Sequence, residues 1–229
     1  MASHSATSVP TWVAVCGNLA PAAAIVVFLA PWPTIANIRR DRTVGTLPLL
    51  PYSSMIASAF LWVVYGLLKN ESKIWSSNGV GLVLGLYYFG NFVKHAPKAA
   101  PTLPGSVKQH LQAMGTVILG TLMLALSPMQ SPVNIIGTLG VIFCVAMFAS
   151  PLAALKTVLE TKSAQSIPLP FTLASTANCL LWSITGIFDM KDPNVIVPNL
   201  LGLVFSLAQV VLKIVYGDGP KGKLEPLPL

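Results

Sequence analysis

The run FLAPWPT (28–34) sets a proline, Pro31, inside a long apolar segment, and 120 positions later MFASPL (147–152) does the same with Pro151. The spacing holds for more than one pair. Thr43, Pro48, Trp62 and Gly66 recur at the same offset as Ser163, Pro168, Trp182 and Gly186, and Asn78 recurs as Asn199 at 121. An apolar chain with such an internal repeat builds two similar units. In a membrane, two such units can enclose a central site and rock about it.

Composition puts the chain in a bilayer. Of 229 residues 54% are hydrophobic and only 9% charged, with a mean hydropathy of +0.71. A soluble domain carries about 25% charged residues. Cys16, Cys144 and Cys179 all lie in apolar runs at irregular spacing, so neither a disulfide framework nor a metal site is expected. The first ten residues lack the basic start of a cleaved signal peptide, so the first apolar run is read as a retained helix.

Seven stretches suit a hydrocarbon core of about 30 Å, which takes roughly 20 helical residues: 12–37, 47–68, 74–93, 111–128, 133–156, 168–188 and 193–215. Of the 14 basic residues, Lys69, Lys73 and Lys191 fall on one side and the other eleven on the opposite side. The positive-inside rule makes the richer side cytoplasmic, with the N-terminus outside and the C-terminus inside. The net charge of +7 is then that of loops beside anionic lipid, and no nucleic-acid partner is needed. The fold expected is all-α: residues 12–94 and 133–217 as two parallel three-helix bundles, 109–128 as the connector helix and 218–229 as a cytosolic tail. Two units of the same orientation need an odd number of crossings between them, and one suffices.

FLAPWPT, SAFLWVVYG (58–66), SSNGVG (76–81), MFASPL, TKSAQSIP (161–168) and DPNVIVPNLLG (192–202) together resemble the motifs of the eukaryotic SWEET sugar facilitators, over about residues 12 to 217. Parallel repeats of this kind are already known from that family, so the architecture is partly carried over rather than derived. The resemblance implies a seven-helix bundle that moves sugar in both directions down its gradient.

The residues make chemical sense of that expectation. Asn78 and Asn199 are amides inside apolar spans, where an unpartnered polar group is costly. They read either as helix–helix hydrogen bonds or as a facing pair whose donors and acceptors suit sugar hydroxyls. Trp62 and Trp182 read either as interface anchors or as indole faces for a sugar ring. The resemblance assigns all four to the sugar site. Ser58 and Asn178 stand four residues before the tryptophans on the same helix faces. Val27 and Met147, each four residues before a repeat proline, would close the pocket or simply pack in the core. Asn178 and Met147 are bulky, which favours a hexose such as glucose over a disaccharide.

Pro31, Pro51, Pro151 and Pro168 match the family's hinge prolines near the cytosolic side, with Pro170 a neighbouring candidate for the fourth. Proline removes a helical hydrogen bond and so suits a hinge. Tyr65 and Asp192 match its extracellular gate pair, although Asp192 before Pro193 also reads as a helix N-cap. The loop Asp189-Met190-Lys191 is one residue longer than the family's usual one.

All seven acidic residues, and His4, His95 and His110, lie in loops or at span ends. With no ionisable group mid-span, the expectation is a uniporter without proton coupling. No P-loop, metal cluster or nucleophile–base pair is present, so neither an enzyme nor a cofactor is expected. The bilayer is one partner, and the family's homo-oligomers make a second copy another. The plasma membrane is the expected location, with an endomembrane as the alternative. Two rivals share features: a PQ-loop carrier of amino acids or other metabolites, whose proline-glutamine pair is missing at Pro31-Trp32 and Pro151-Leu152, and a seven-span receptor, which would not repeat at 120.

Overall fold

In the computed structural model the chain is described over residues 9–96, 105–128 and 131–219, and every regular element there is helical. His4, Lys98, Lys221, Lys223, Glu225 and most of the expected tail lie outside these residues. In chain order the helices are α1 (Thr11–Leu29), α2 (Trp32–Asp41), α3 (Leu50–Leu68), α4 (Ser72–His95), α5 (Val107–Ala125), α6 (Pro132–Met147), α7 (Ala149–Thr161), α8 (Leu169–Ile184) and α9 (Pro193–Tyr216). A π-helical turn, Thr185–Met190, continues α8. The first and fifth expected spans are each broken in two, as α1/α2 and α6/α7.

The two halves are built alike. α1 and α3 pack on α4, and α6 and α8 pack on α9, while α5 lies against α3 and α6. The repeat extends to the backbone. Among the described residues four non-glycine residues have positive φ, and they form two repeat pairs: Arg42 (55°) with Lys162 (56°), and Asn70 (56°) with Lys191 (51°). Left-handed backbone disfavours side-chain-bearing residues, so its recurrence at matching points marks the same turn made twice.

Among the described residues five stretches are long and apolar enough to cross a membrane by length and composition alone: Thr11–Asp41, Leu50–Leu68, Pro132–Thr161, Leu169–Met190 and Pro193–Tyr216. α4 and α5 are more polar. α4 carries Lys73, Ser76, Ser77, Asn78, Asn91 and Lys94, and α5 opens with Lys108, Gln109, His110 and Gln112. A capping box between Ser106 and Gln109 starts α5.

Three apolar clusters show how the halves meet. One joins them: Ala20, Leu61, Trp62, Tyr65 and Ile74 from the first, with Ile136, Trp182 and Val195 from the second. The other two keep apart. Ile35, Ile38, Val44, Leu49, Tyr52, Ile56, Tyr88, Phe89 and Phe92, with Met114 of α5, form a core at the Pro31 end of the first half. Val158, Ala164 and Ile167 form a smaller one at the Pro151 end of the second. The molecule is thus closed at the Tyr65 end, while its proline ends have separate cores.

Candidate functional site: paired amides beneath a shared tryptophan cluster

Trp62 and Trp182 are buried in the same cluster, at 9% and 6% exposed. The approach between halves is close: a Cβ added at Gly140 of α6 would lie 3.0 Å from Trp62 Cζ2. The spans the sequence pairs are thus brought together at the tryptophans. The edge of Trp62 also meets the Tyr65 ring, with centroids 5.3 Å apart.

Asn78 and Asn199 follow one turn along α4 and α9. Each amide donates to the carbonyl four residues earlier, Asn78 to Ile74 O at 2.9 Å and Asn199 to Val195 O at 2.8 Å. Ile74 and Val195 both belong to the joining cluster. The two side chains are therefore held in the same way from matching points of the repeat. Each bond uses one N–H and leaves the amide oxygen and the second N–H for another group. Ser58 is half-buried, as is Val27, whereas Met147 is 44% exposed. The Asn178 side-chain oxygen is buried without a hydrogen-bond partner. Buried polar atoms of this kind call for an explanation, and a ligand hydroxyl is one.

The prolines divide into two kinds. Pro31 stands between α1 and α2 and has no N–H for Val27 O, which Ala30 N takes instead at 3.1 Å. In the second half the break falls earlier, at Phe148, which ends α6 and begins α7, and Pro151 sits in the first turn of α7. Proline at 151 has no N–H for Met147 O, and here the break lies within the turn before it. Pro51 and Pro168 instead open α3 and α8, with Pro170 in the first turn of α8. Prolines are well tolerated at these positions, because the first N–H groups of a helix have no partner there.

At the closed end the Tyr65 hydroxyl donates to Asp192 Oδ2 at 2.6 Å and accepts from Asn194 Nδ2 at 3.2 Å. Lys69 Nζ approaches the same carboxylate oxygen at 3.4 Å. Asp192 is only 3% exposed, and its other oxygen accepts from Asn194 N at 3.0 Å, capping α9. The partner of Tyr65 and the N-cap of α9 are thus the same side chain. A second contact between the halves joins Lys73 Nζ to Asp189 Oδ2 at 2.8 Å.

Sequence reasoning passed over several partners that carry the same offset. Phe28 and Phe148, 120 apart, pack on Gly81 and Gly202, 121 apart: a Cβ on Gly81 would lie 2.7 Å from the Phe28 ring and one on Gly202 3.4 Å from that of Phe148. Each phenylalanine–glycine contact is one turn beyond an asparagine. Gly17 and Gly137, also 120 apart, lie under the two closing contacts. Asn194 and the pair Lys73–Asp189 were likewise not singled out.

Comparison with known proteins shows the family and the fold. A family model described as "Sugar efflux transporter for intercellular exchange" matches residues 14–100 and 134–221, the two halves in turn. The bidirectional sugar transporter SWEET12 of Oryza sativa subsp. japonica is 31% identical over 211 residues, 91% of this chain and 69% of its own length. The bidirectional sugar transporter SWEET9 of Arabidopsis thaliana is 32% identical over 201 residues, 86% and 77% of the two chains. The bidirectional sugar transporter NEC1 of Petunia hybrida is 33% identical over 207 residues, 90% and 77%. The solved structure of a eukaryotic SWEET transporter superposes with a TM-score of 0.76 at 22% identity, over 90% of this chain and 97% of that one, and so shares the fold. With both halves matched by one family model, and relatives aligned along most of its length, this chain belongs to the SWEET family of sugar transporters, which are not enzymes.

Proposed function

We propose that the chain is a bidirectional sugar uniporter that works by alternating access, with a hexose such as glucose as its substrate. The observation that carries this reading is the matched pair Asn78 and Asn199, each secured to its own helix and each with hydrogen-bonding capacity left over, beside the buried Trp62 and Trp182. Amides pair with sugar hydroxyls and indole faces with the apolar C–H face of the ring. Ser58, Asn178, Val27 and Met147 complete the site in this reading, and the bulk of the last two limits it to a monosaccharide.

The closed Tyr65 end is then the extracellular one, the basic loops are cytosolic, and the separate proline ends correspond to an inward-facing state at the plasma membrane. Pro31 and Pro151 interrupt their spans and serve as hinges, while Pro51 and Pro168 set where α3 and α8 begin. Residues 12–94 and 133–217 move as two bodies joined by the connector at 109–128. Among the described residues no Asp, Glu, Lys, Arg or His stands within one turn of Asn78 on α4 or of Asn199 on α9, which supports transport without proton coupling. Purified protein in liposomes should take up labelled glucose to the external concentration and no further, at a rate unchanged by a protonophore. Accumulation above that concentration would overturn the uniport mechanism, and an absence of uptake would overturn the substrate assignment.

A further inference from the structure

The repeat changes register between its tryptophans, at 120, and its asparagines, at 121, so the second half carries one extra residue in between. The structure locates it. Glu71 N bonds Gly66 O at 2.8 Å in the first half, and Asp192 N bonds Gly186 O at 3.1 Å in the second. The same closure thus spans five residues once and six the other time. The added residue is taken up as the π-helical turn Thr185–Met190. Such turns often mark functional positions.

The turn holds Asp189 against Lys73 of the other half, at 2.8 Å. This contact and the Tyr65–Asp192 contact occupy equivalent places. A Cβ at Gly137 would lie 2.6 Å from Tyr65 Cε2 and 2.5 Å from Asn194 Nδ2. One at Gly17 would lie 2.9 Å from Lys73 Nζ, 3.4 Å from Asp189 Oδ2 and 3.6 Å from Thr185 Cγ2. Thr185 is the repeat counterpart of Tyr65, but its hydroxyl is turned back on its own helix, donating to Leu181 O at 2.8 Å. A threonine is too short to do what the tyrosine does, and an ion pair spans the gap instead.

We propose that Lys73 and Asp189 form a second latch at this end, made by the inserted residue, which sets how often the end opens through an ionic bond where its counterpart uses a buried phenol. The two latches differ in kind. Asp192 is almost fully enclosed and has its ionic partner Lys69 at 3.4 Å, whereas Lys73 and Asp189 meet at 2.8 Å with side chains 28% and 25% exposed, so salt weakens the second more than the first. The proposal rests on the alternating-access reading, but its test needs no sugar.

The test uses a cysteine-free background carrying Val13→Cys, one turn before Gly17 on α1 and fully buried in the closed form. Modification by a membrane-impermeant thiol reagent then reports opening at this end. Asp189→Asn should speed modification about two- to fivefold, the range for a partly exposed ion pair. The exchange Lys73→Asp with Asp189→Lys should return the rate to the starting value. Raising potassium chloride should speed the parent and speed Asp189→Asn less, the remainder coming from Lys69 and Asp192. Should the cysteine disturb folding, hydrogen exchange of the peptide 11–17 in the native chain gives the same readout. An Asp189→Asn rate and salt response equal to the parent's would overturn the latch, whatever glucose uptake shows. Loss of uptake with the expected accessibility changes would instead count against the substrate.

Discussion

The Tyr65 hydroxyl and the Asp192 carboxylate meet at 2.6 Å across the two halves, in a setting where the carboxylate is 3% exposed and also caps α9. Tyr65→Phe removes this bond and keeps the ring packing on Trp62. A hydrogen bond to a buried charge contributes about 1.5–3 kcal/mol, so the closed-to-open ratio should fall about tenfold or more. Thiol accessibility at this end should rise accordingly, and a small salt response would separate this change from that of Asp189→Asn.

Asn78→Ala and Asn199→Ala should each cut glucose uptake at least about tenfold while costing little stability. Polar side-chain bonds in membrane helices average about 0.6 kcal/mol, and each amide bonds only a carbonyl of its own helix. Thermal melting within a few degrees of the parent, with uptake lost, is the expected result. Wild-type uptake by both variants would remove the asparagines from the site.

Pro31→Ala and Pro151→Ala should slow transport more than they weaken sugar binding, because an alanine there can rejoin α1 to α2 and α6 to α7. Pro51→Ala, Pro168→Ala and Pro170→Ala should change the rate far less, since these prolines begin helices and interrupt none. Uptake rate set against equilibrium glucose binding for the five variants checks the division.

Gly137→Ala should disrupt closure at the Tyr65 end. Its Cβ would meet Asn194 and Tyr65 at 2.5–2.6 Å, and overpacking of this degree costs about 1–3 kcal/mol. Gly79→Ala is the control, because nothing lies within 4 Å of its Cβ. Equal accessibility in the two variants would mean that the end closes without the fit at Gly137.

Asn178→Ser, with Met147→Val, should widen the pocket and let sucrose compete with labelled glucose uptake. In the parent, excess unlabelled glucose should compete well and sucrose poorly. Sucrose competing equally in both proteins would rule out side-chain bulk as the basis of the choice.

The likeness of the two halves could be read directly from the 120-residue offset, because prolines and tryptophans are rare enough in apolar sequence for their recurrence to stand out. Of the seven spans expected from hydropathy, five are apolar enough among the described residues, and α4 and α5 are more polar. Glycine and phenylalanine are common there, so Gly17/Gly137 and Phe28/Phe148 went unnoticed although they obey the same rule. The break in the second half lies at Phe148 and not at Pro151, a shift that the matching prolines do not foretell, since Pro31 stands at its own break. The extra residue near Asp189 was visible as a longer loop, but only the π-helical turn explains how it can be added without displacing Asp192 from Tyr65. The contact between Lys73 and Asp189 joins residues 116 apart, and local pattern carries no trace of it.

The unequal inner cores also bear on how the chain is made. The first half gathers nine of its own buried side chains at its proline end, including four aromatic rings, before any of the second is needed. The second gathers three small or aliphatic ones. Since the ribosome delivers the first half earlier, it can settle in the bilayer as a formed body, with Met114 of the connector sealing its core as α5 follows. The later half packs α6 and α8 on α9 and meets the first where Ile136, Trp182 and Val195 dock onto Trp62 and Tyr65. A lesion in the larger first core, such as Phe92→Ala, should therefore disturb the chain more than one at Val158, and the yield of folded protein in membranes checks this.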